Sequence, residues 1–406
     1  MSAERAAGTE ARLGPEGTEE EPAGGADSAE PDWSASPMRL YETSRQAIVP
    51  FEPGPIVRLY TCGITPYDAA HLGHAATYLA YDVLQRRLRD RGHLTRCVRN
   101  VTDVDDDILR RSRELGVHYL DLAAEEMARF DEDLRALGLL PAWREPRATS
   151  AIPEILTFVE TALERGHAYR AGGAVYFSVA TFPSFGQVSH LEREEMLRLA
   201  AERGGRPEDP AKRDPLDFVL WQPSLPDEPA WESRYGPGRP GWHIECSALA
   251  VRELGSTIDL HGGGSDLVFP HHECEAAQSE AVTGQPFVRH WMHVGMVHYE
   301  GEKMSKSLGN LVFVHDLLKE HEPAAIRLAL LSRHYRTSWE WHPELLAEAE
   351  SRLKRWRRAG VGSAGLAEVR ARLDDDLDTP GALSVLDEEV AHGRGVSEAA
   401  ELLGVA

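Results

Sequence analysis

Ile56-Val-Arg-Leu-Tyr-Thr-Cys62, the turn Gly63-Ile-Thr-Pro-Tyr-Asp68 and the helical run that starts at His71-Leu-Gly-His74 decide the fold of this chain. The first seven residues are rich in β-branched and aromatic side chains and predict a short strand. From about His71 to Asp90, Leu72, Tyr78, Leu79, Val83, Leu84 and Leu88 recur with helical spacing, and Gly92 ends the helix. Leu94-Thr-Arg-Cys-Val-Arg-Asn100 predicts the next strand, and Asp103 to Leu115 the next helix. Strand, helix, strand, helix within roughly 60 residues is the βαβ pattern of a Rossmann-type, doubly wound parallel α/β sheet. Such sheets bind ligands at the carboxyl ends of their strands, where Cys62 and Asn100 would sit.

Outward from this core the texture changes. Residues 141–235 predict helical segments around the strand Ala174-Val-Tyr-Phe-Ser178, followed by a Pro/Gly/Arg-rich stretch from Arg203 to Pro215. This reads as an inserted α/β domain dividing the sheet domain into halves at 38–140 and 236–322. The α/β pattern resumes at Gly241-Trp-His-Ile-Glu-Cys246 and continues through Ile258-Asp-Leu-His-Gly-Gly-Gly-Ser-Asp266. A short, mostly helical segment occupies 323–406. Residues 1–37 hold nine acidic and two basic residues with almost no large apolar side chains, and read as a disordered acidic tail.

The 406 residues carry 44 Lys+Arg against 66 Asp+Glu, a net charge of -22. That balance argues against broad nucleic-acid binding, which depends on basic surface. No apolar run reaches the ~20 residues of a membrane helix, and no secretory signal is evident, so a cytoplasmic protein is expected. Four cysteines without a CxxC pair make no disulfide framework, and Cys97 in its apolar strand reads as core. Only five of the basic residues are lysines, and two of these, Lys303 and Lys306, lie three residues apart.

Three motifs carry chemistry. His71-Leu-Gly-His74 opens a helix just after a strand, where unpaired N–H groups and a partial positive charge suit phosphate, and two imidazoles can donate to it. Lys303-Met-Ser-Lys-Ser307, bracketed by Gly301 and Gly309-Asn310, is a loop whose ammonium groups can neutralise charge on departing pyrophosphate. Cys62, Cys246 and the run His271-His272-Glu273-Cys274-Glu275 form a metal constellation suited to Zn²⁺. In that run His271 and Glu275 share one helix face, His272 points elsewhere, and Cys274 is a rival ligand by its i+3 spacing.

Together the HxGH and KMSKS motifs resemble the signature pair of class I aminoacyl-tRNA synthetases, which adenylate a carboxylate with ATP. Cys62–Asp68, Asn100-Val-Thr-Asp-Val-Asp-Asp106, Gly238–Ser247 and Gly262–Glu273 narrow the resemblance to the cysteine-activating branch, over roughly residues 38 to 385. Two sub-families share these segments: cysteinyl-tRNA synthetases, and the ligases that join cysteine to glucosaminyl-inositol in mycothiol biosynthesis. Pro66, Ala76, Asp107, the segment Ala201-Glu-Arg-Gly-Gly205 and Asp374-Asp-Asp-Leu-Asp-Thr-Pro380 resemble the ligases, although Arg206 replaces their usual Asp. The 100 residues after Lys306 are also fewer than a helical bundle plus anticodon-reading domain needs. Glu275 and the Leu308-Gly309-Asn310 ending resemble the tRNA enzymes instead.

The resemblance implies one Zn²⁺ held by Cys62, Cys246 and His271, with Glu275 a candidate fourth ligand, and Mg²⁺ accompanying ATP. It implies a cysteine pocket shaped by Cys62, Gly63, Ile64, Thr65, Thr77 and Trp242. Asn100, Val101, Thr102, Gly264, Ser265, Asp266 and the backbone of Val297 would hold the adenylate. His71, His74, Lys303 and Lys306 would stabilise the phosphates. The implied substrates are ATP, L-cysteine and glucosaminyl-inositol, and the implied state is a monomer. Glu245, His243 and Asp68 are candidates for a general base toward the acceptor amine, although each has an ordinary structural reading. The basic run Arg352-Leu-Lys-Arg-Trp-Arg-Arg358 reads as the solvated face of an amphipathic helix.

Overall fold

Four parallel strands carry the fold: β1 (Ile56–Ile64), β2 (Leu94–Val101), β3 (Leu260–Gly264) and β4 (Trp291–Val294). Their order across the sheet is β4-β3-β1-β2. The connection from β1 runs to one side and the later strands add on the other, so the switch point of this doubly wound α/β sheet lies between β1 and β3. The computed structural model describes residues 37–67, 70–304 and 309–405, so the expected tail, Asp68 and Lys306 lie outside the described residues.

Helix α1 (Leu72–Asp90) joins β1 to β2 and buries Leu72, Ala75, Leu79, Val83, Leu84 and Leu88, the face that its periodicity predicts. Helix α2 (Asp106–Leu115) begins three residues later than expected, because Asp105 is an extended N-cap whose carboxylate accepts from the N–H groups of Asp107 and Ile108. Before β1, Met38–Glu42 and Ala47–Phe51 form an antiparallel hairpin that the sequence reading does not foresee.

Between α2 and β3 the chain builds a four-stranded antiparallel sheet from Ala168–Ala171, Ala174–Phe177, Phe218–Pro223 and Gly238–Pro240, in that order. Only the second of these is apparent in the sequence, where Gly and Pro crowd the others. Helix α3 (Arg193–Glu202) precedes the third strand of this sheet, and α4 (Trp242–Leu254) leads back into the parallel sheet. After β3 the chain breaks at Phe269 before α5 (Glu273–Thr283). Five helices between Pro323 and Leu402 follow, among them Glu344–Ala359, which buries Leu345, Leu346, Ala349, Leu353 and Trp356. Arg352 and Trp356 of that helix bond to Asp387, so its basic run is partly spent within the protein. Among the described residues no helix is long and apolar enough to cross a membrane.

These later helices are tied to α1 by charge as well as by packing. The buried Arg327 guanidinium pairs with Asp82 of α1 and donates to the carbonyls of Leu403 and Leu137. Asp374 accepts from Arg87 and Arg91 at the far end of α1.

Strand β1 ends in a register shift between Thr61 and Ile64, where the Gly63 N–H donates to the Asn100 side-chain oxygen at 2.8 Å. A Cβ on Gly63 would fall 1.5 Å from the backbone oxygen of Asn100, an overlap with main chain that no rotamer relieves. Gly63→Ala should therefore force β1 and β2 apart at their carboxyl ends and cost about 4 kcal/mol or more, well above the usual range for single substitutions. Denaturant unfolding checks this, and an unchanged midpoint would contradict the close approach.

Candidate active site

The carboxyl ends of all four parallel strands supply the site. Cys62 lies at the end of β1, beside the register shift, and its Sγ is 3.9 Å from Sγ of Cys246 on α4. Two thiolates at ~2.3 Å from a tetrahedral zinc ion would be about 3.8 Å apart, so this pair has the separation a metal needs. His271 and Glu275 come from the break after β3 and the first turn of α5, with Nε2 of His271 2.7 Å from the Glu275 carboxylate. The ligand atoms of Cys62, Cys246, His271 and Glu275 all lie within 4.8 Å of one another, and all four residues are buried. A buried set of two sulfurs, one imidazole and one carboxylate fits a divalent metal of borderline softness.

Two details differ from the sequence reading. His272 does not point away: its Nε2 lies 3.3 Å from Cys62 Sγ, and Cys62, His261, His272 and Glu275 form a second overlapping donor group. The reason is local. Phe269 is extended within the 268–272 segment (φ -137°, ψ 135°), so that segment does not follow a regular helical wheel. Cys274, in contrast, packs in the apolar cluster of the insert and α4, outside both donor groups.

Surrounding residues orient the donors. Nδ1 of His243 is 2.9 Å from Nδ1 of His271, and the amide nitrogen of Gln278 donates to the carbonyl of His243 and the hydroxyl of Ser247. The Trp242 ring lies 4.2 Å from the His271 ring. On the other side, His272 Nδ1 is 2.7 Å from His293 Nε2, whose Nδ1 is 2.7 Å from the Thr43 hydroxyl. The sequence reading missed this histidine chain, although the density of His between 261 and 298 is a visible signal.

The electrostatics follow from burial and mutual compensation. Burial and hydrogen bonding to Cys246 push the Cys62 thiol well up. For Cys246 burial acts upward, but the hydrogen bond with Cys62 and the His271 charge bring it down to about 6. Burial opposes the charge of His271, yet Glu275 and Cys246 hold it up at about 10. Glu275, held by His261 and His271 against the cost of burial, falls to about 2. The one cation of this group, His271, lies against both the Cys246 thiolate and the Glu275 carboxylate, so neither anion is left without a charged partner.

The remaining candidates lie in the first turns of α1, at the ends of β1, β2 and β3, and in a separate small sheet. His71 and His74 stack with ring centroids 3.8 Å apart, and Nδ1 of His71 accepts from the Gly73 N–H, which leaves Nε2 as the donor side of the neutral ring. The Thr77 hydroxyl donates to the Gly73 carbonyl. Thr65 donates to Asp105, whose carboxyl is raised by burial to about 6. The Asn100 amide reaches the Thr102 hydroxyl, and the N–H of Thr102 donates to Ile64 beyond the register shift, where Ile64 pairs with Val101. Gly264, Ser265 and Asp266 lead out of β3. Val297 stands apart, in a small sheet with Glu302–Lys303 and Trp339–Glu340, and its carbonyl accepts from Met304. Lys303 is on that strand, whereas Lys306 lies outside the described residues. Glu245 is wholly buried beneath this face. Burial raises its carboxyl well above the usual range, and neither oxygen has a hydrogen-bond partner.

A family model described as tRNA synthetases class I (C) catalytic domain matches residues 48–351. A Thermobispora bispora protein named L-cysteine:1D-myo-inositol 2-amino-2-deoxy-alpha-D-glucopyranoside ligase is 52% identical over 87% of this chain and 90% of its own. A Thermomonospora curvata protein of the same name is 49% identical over 89% and 90%. Among solved structures, Mycobacterium tuberculosis methionyl-tRNA synthetase bound by methionyl-adenylate matches at a TM-score of 0.60 with 15% identity, over 85% of this chain and 84% of that one. That structure speaks for the fold.

Removing one thiolate should open the donor set. Cys246→Ala is expected to lower bound divalent metal at least about tenfold by elemental analysis, because loss of even a partner that only orients a ligand costs that much in affinity. Cys97→Ala, on the buried face of β2, should leave metal content unchanged. Because ligation needs deprotonated Cys62 and His271, and both hold their protons above the usual range, metal affinity should fall progressively as pH drops below about 10. Affinity rising toward acid would exclude these ligands.

Proposed function

The chain belongs to the tRNA-synthetase class I (C) catalytic-domain family, and from that membership we propose that it is a ligase joining L-cysteine to the amine of glucosaminyl-inositol through a cysteinyl-adenylate. The observation that carries cysteine as substrate is the buried convergence of Cys62, Cys246, His271 and Glu275 at the end of β1. The amino-sugar acceptor, and with it a role in mycothiol biosynthesis, rests on the names of relatives about half identical over most of the chain.

On this reading 38–140 and 236–322 are the two halves of the catalytic domain and 141–235 its insert, whose sheet takes its fourth strand, Gly238–Pro240, from just beyond that boundary. Cys62, Cys246 and His271, with Glu275 as fourth donor, would hold zinc. Bound there, zinc supplies a soft Lewis acid that prefers a thiolate to the hydroxyl of serine, so cysteine is selected without an editing site.

The chain's own groups do the rest. Gly63, Ile64, Thr65, Thr77 and Trp242 surround the amino acid, and Asn100, Val101, Thr102, Gly264, Ser265, Asp266 and the backbone of Val297 hold the adenylate. The cysteine carboxylate attacks the α-phosphorus of Mg²⁺-ATP and diphosphate leaves, with His71, His74, Lys303 and Lys306 taking up the charge that develops on it. The deprotonated amine of the amino-sugar then attacks the activated carbonyl, AMP departs, and an amide remains.

A second reading, transfer of cysteine to tRNA, is favoured by one observation: Glu275 stands within the donor group. AMP release from ATP and cysteine, with glucosaminyl-inositol or tRNA as acceptor, separates the two. Release driven by the amino-sugar with a cysteinyl amide product is expected, and charging of tRNA instead would overturn the ligase reading. Lys306→Ala should slow adenylate formation about 100-fold, the size of losing one charge-stabilising donor, with cysteine affinity little changed. An equal loss of cysteine affinity would give the loop another role.

A further inference from the structure

The segment Ala201-Glu-Arg-Gly-Gly205, which the mechanism above does not use, meets the active site through one side chain. Helix α3 ends at Glu202 with Arg203 as its C-cap, and the turn is sealed by the Gly205 N–H donating to the Ala200 carbonyl at 2.7 Å. A Cβ on Gly205 would fall 2.8 Å from that same carbonyl, so the turn admits no larger residue without a shift. From this turn one terminal nitrogen of the Arg203 guanidinium donates to two backbone carbonyls, those of Asp266 and Phe269.

Those carbonyls flank the place where the chain leaves the glycine-rich end of β3 and breaks before α5. Phe269 is extended there, so the backbone cannot satisfy its own acceptors as a continuous helix does. The insert braces the same break twice more. The Phe185 ring packs edge-on against Phe269 at 6.2 Å, and the Glu273 carboxylate accepts from the N–H groups of Gly186, Val188 and Ser189. Glu273 anchors the α5 side, whereas Arg203 reaches back to Asp266.

We propose that Arg203 is a positioning residue for the nucleotide: it holds the Gly264–Asp266 loop in its binding shape through the Asp266 and Phe269 carbonyls. The inserted domain thereby sets the affinity for ATP without touching it. Glu273, held by three backbone N–H groups of the insert, ties α5 and its Glu275 in place without Arg203, so loss of Arg203 falls first on the nucleotide loop. This inference rests on the adenylate reading above.

The test compares Arg203→Ala, Arg203→Lys and the exposed neighbour Glu202→Ala in the full chain. Cysteine-dependent ATP–diphosphate exchange gives the KM for ATP and for cysteine, elemental analysis gives metal content, and calorimetry gives affinity for a non-hydrolysable ATP analogue. Arg203→Ala should raise the ATP KM and the analogue Kd about tenfold, the effect of losing charged hydrogen bonds, with cysteine KM and metal content unchanged. Arg203→Lys, which keeps a charged donor, should fall between, and Glu202→Ala should match wild type. Unchanged nucleotide affinity in Arg203→Ala overturns the proposal. So does a joint fall in ATP affinity, cysteine affinity, metal content and Tm, which marks a merely structural residue. A wild-type chain without cysteine-dependent exchange overturns the adenylate reading instead, and analogue binding then still decides whether Arg203 shapes a nucleotide site.

Discussion

The close approach of backbones at the carboxyl end of the sheet governs everything that follows. Gly63 meets the main chain of Asn100, and Gly262 of β3 sits where a Cβ would fall 2.1 Å from both the Met292 carbonyl and the Tyr81 hydroxyl. With no side chain at these points, three strands end side by side and deliver Cys62, Asn100 and Gly264 to one edge. At this edge Cys62 meets Cys246 of α4, with the two sulfurs 3.9 Å apart. The switch point between β1 and β3 is thus a packing constraint before it is a binding site.

Burial of so many polar groups at this edge requires that they compensate one another. Cys62, Cys246, His271 and Glu275 do so as a unit, His243 and His261 bond to His271 and Glu275, and Gln278 holds His243 and Ser247 behind them. An isolated buried charge would cost several kcal/mol, about what a small domain has to spare. The cluster is therefore sensitive to loss of any single member, more so than its number of contacts suggests.

Distant elements hold the frame. The Asp374–Asp378 segment reaches the hairpin through Asp376, which accepts from the Tyr41 N–H, and reaches α1 through Asp374. Arg327 and Asp82 form a buried pair whose remaining donors go to backbone carbonyls, so the later helices dock on α1 with defined register. The insert bears on the opposite side through Arg203 and Glu273, leaving the break at Phe269 supported from the domain least regular in sequence.

Periodicity and residue type in the sequence determined the β1–α1–β2 unit, because a helical apolar face and a β-branched run are local properties. They also determined the chemical identity of the donors: Cys62 and Cys246 are legible as soft thiolate ligands and His271 as an imidazole suited to zinc, wherever they end up. What only the tertiary structure decided was which donors meet. Cys62 and Cys246 are joined by the return of α4 across the insert, and His272 turns toward Cys62 because the chain breaks at Phe269, an interruption no helical wheel contains. Of the antiparallel sheet of the insert only Ala174–Phe177 was legible, because the other strands are short, contain or are flanked by Gly and Pro, and are stabilised by neighbours distant in sequence. Local preference identifies an element, but the partner that completes it is set by backbone close approach and shared burial.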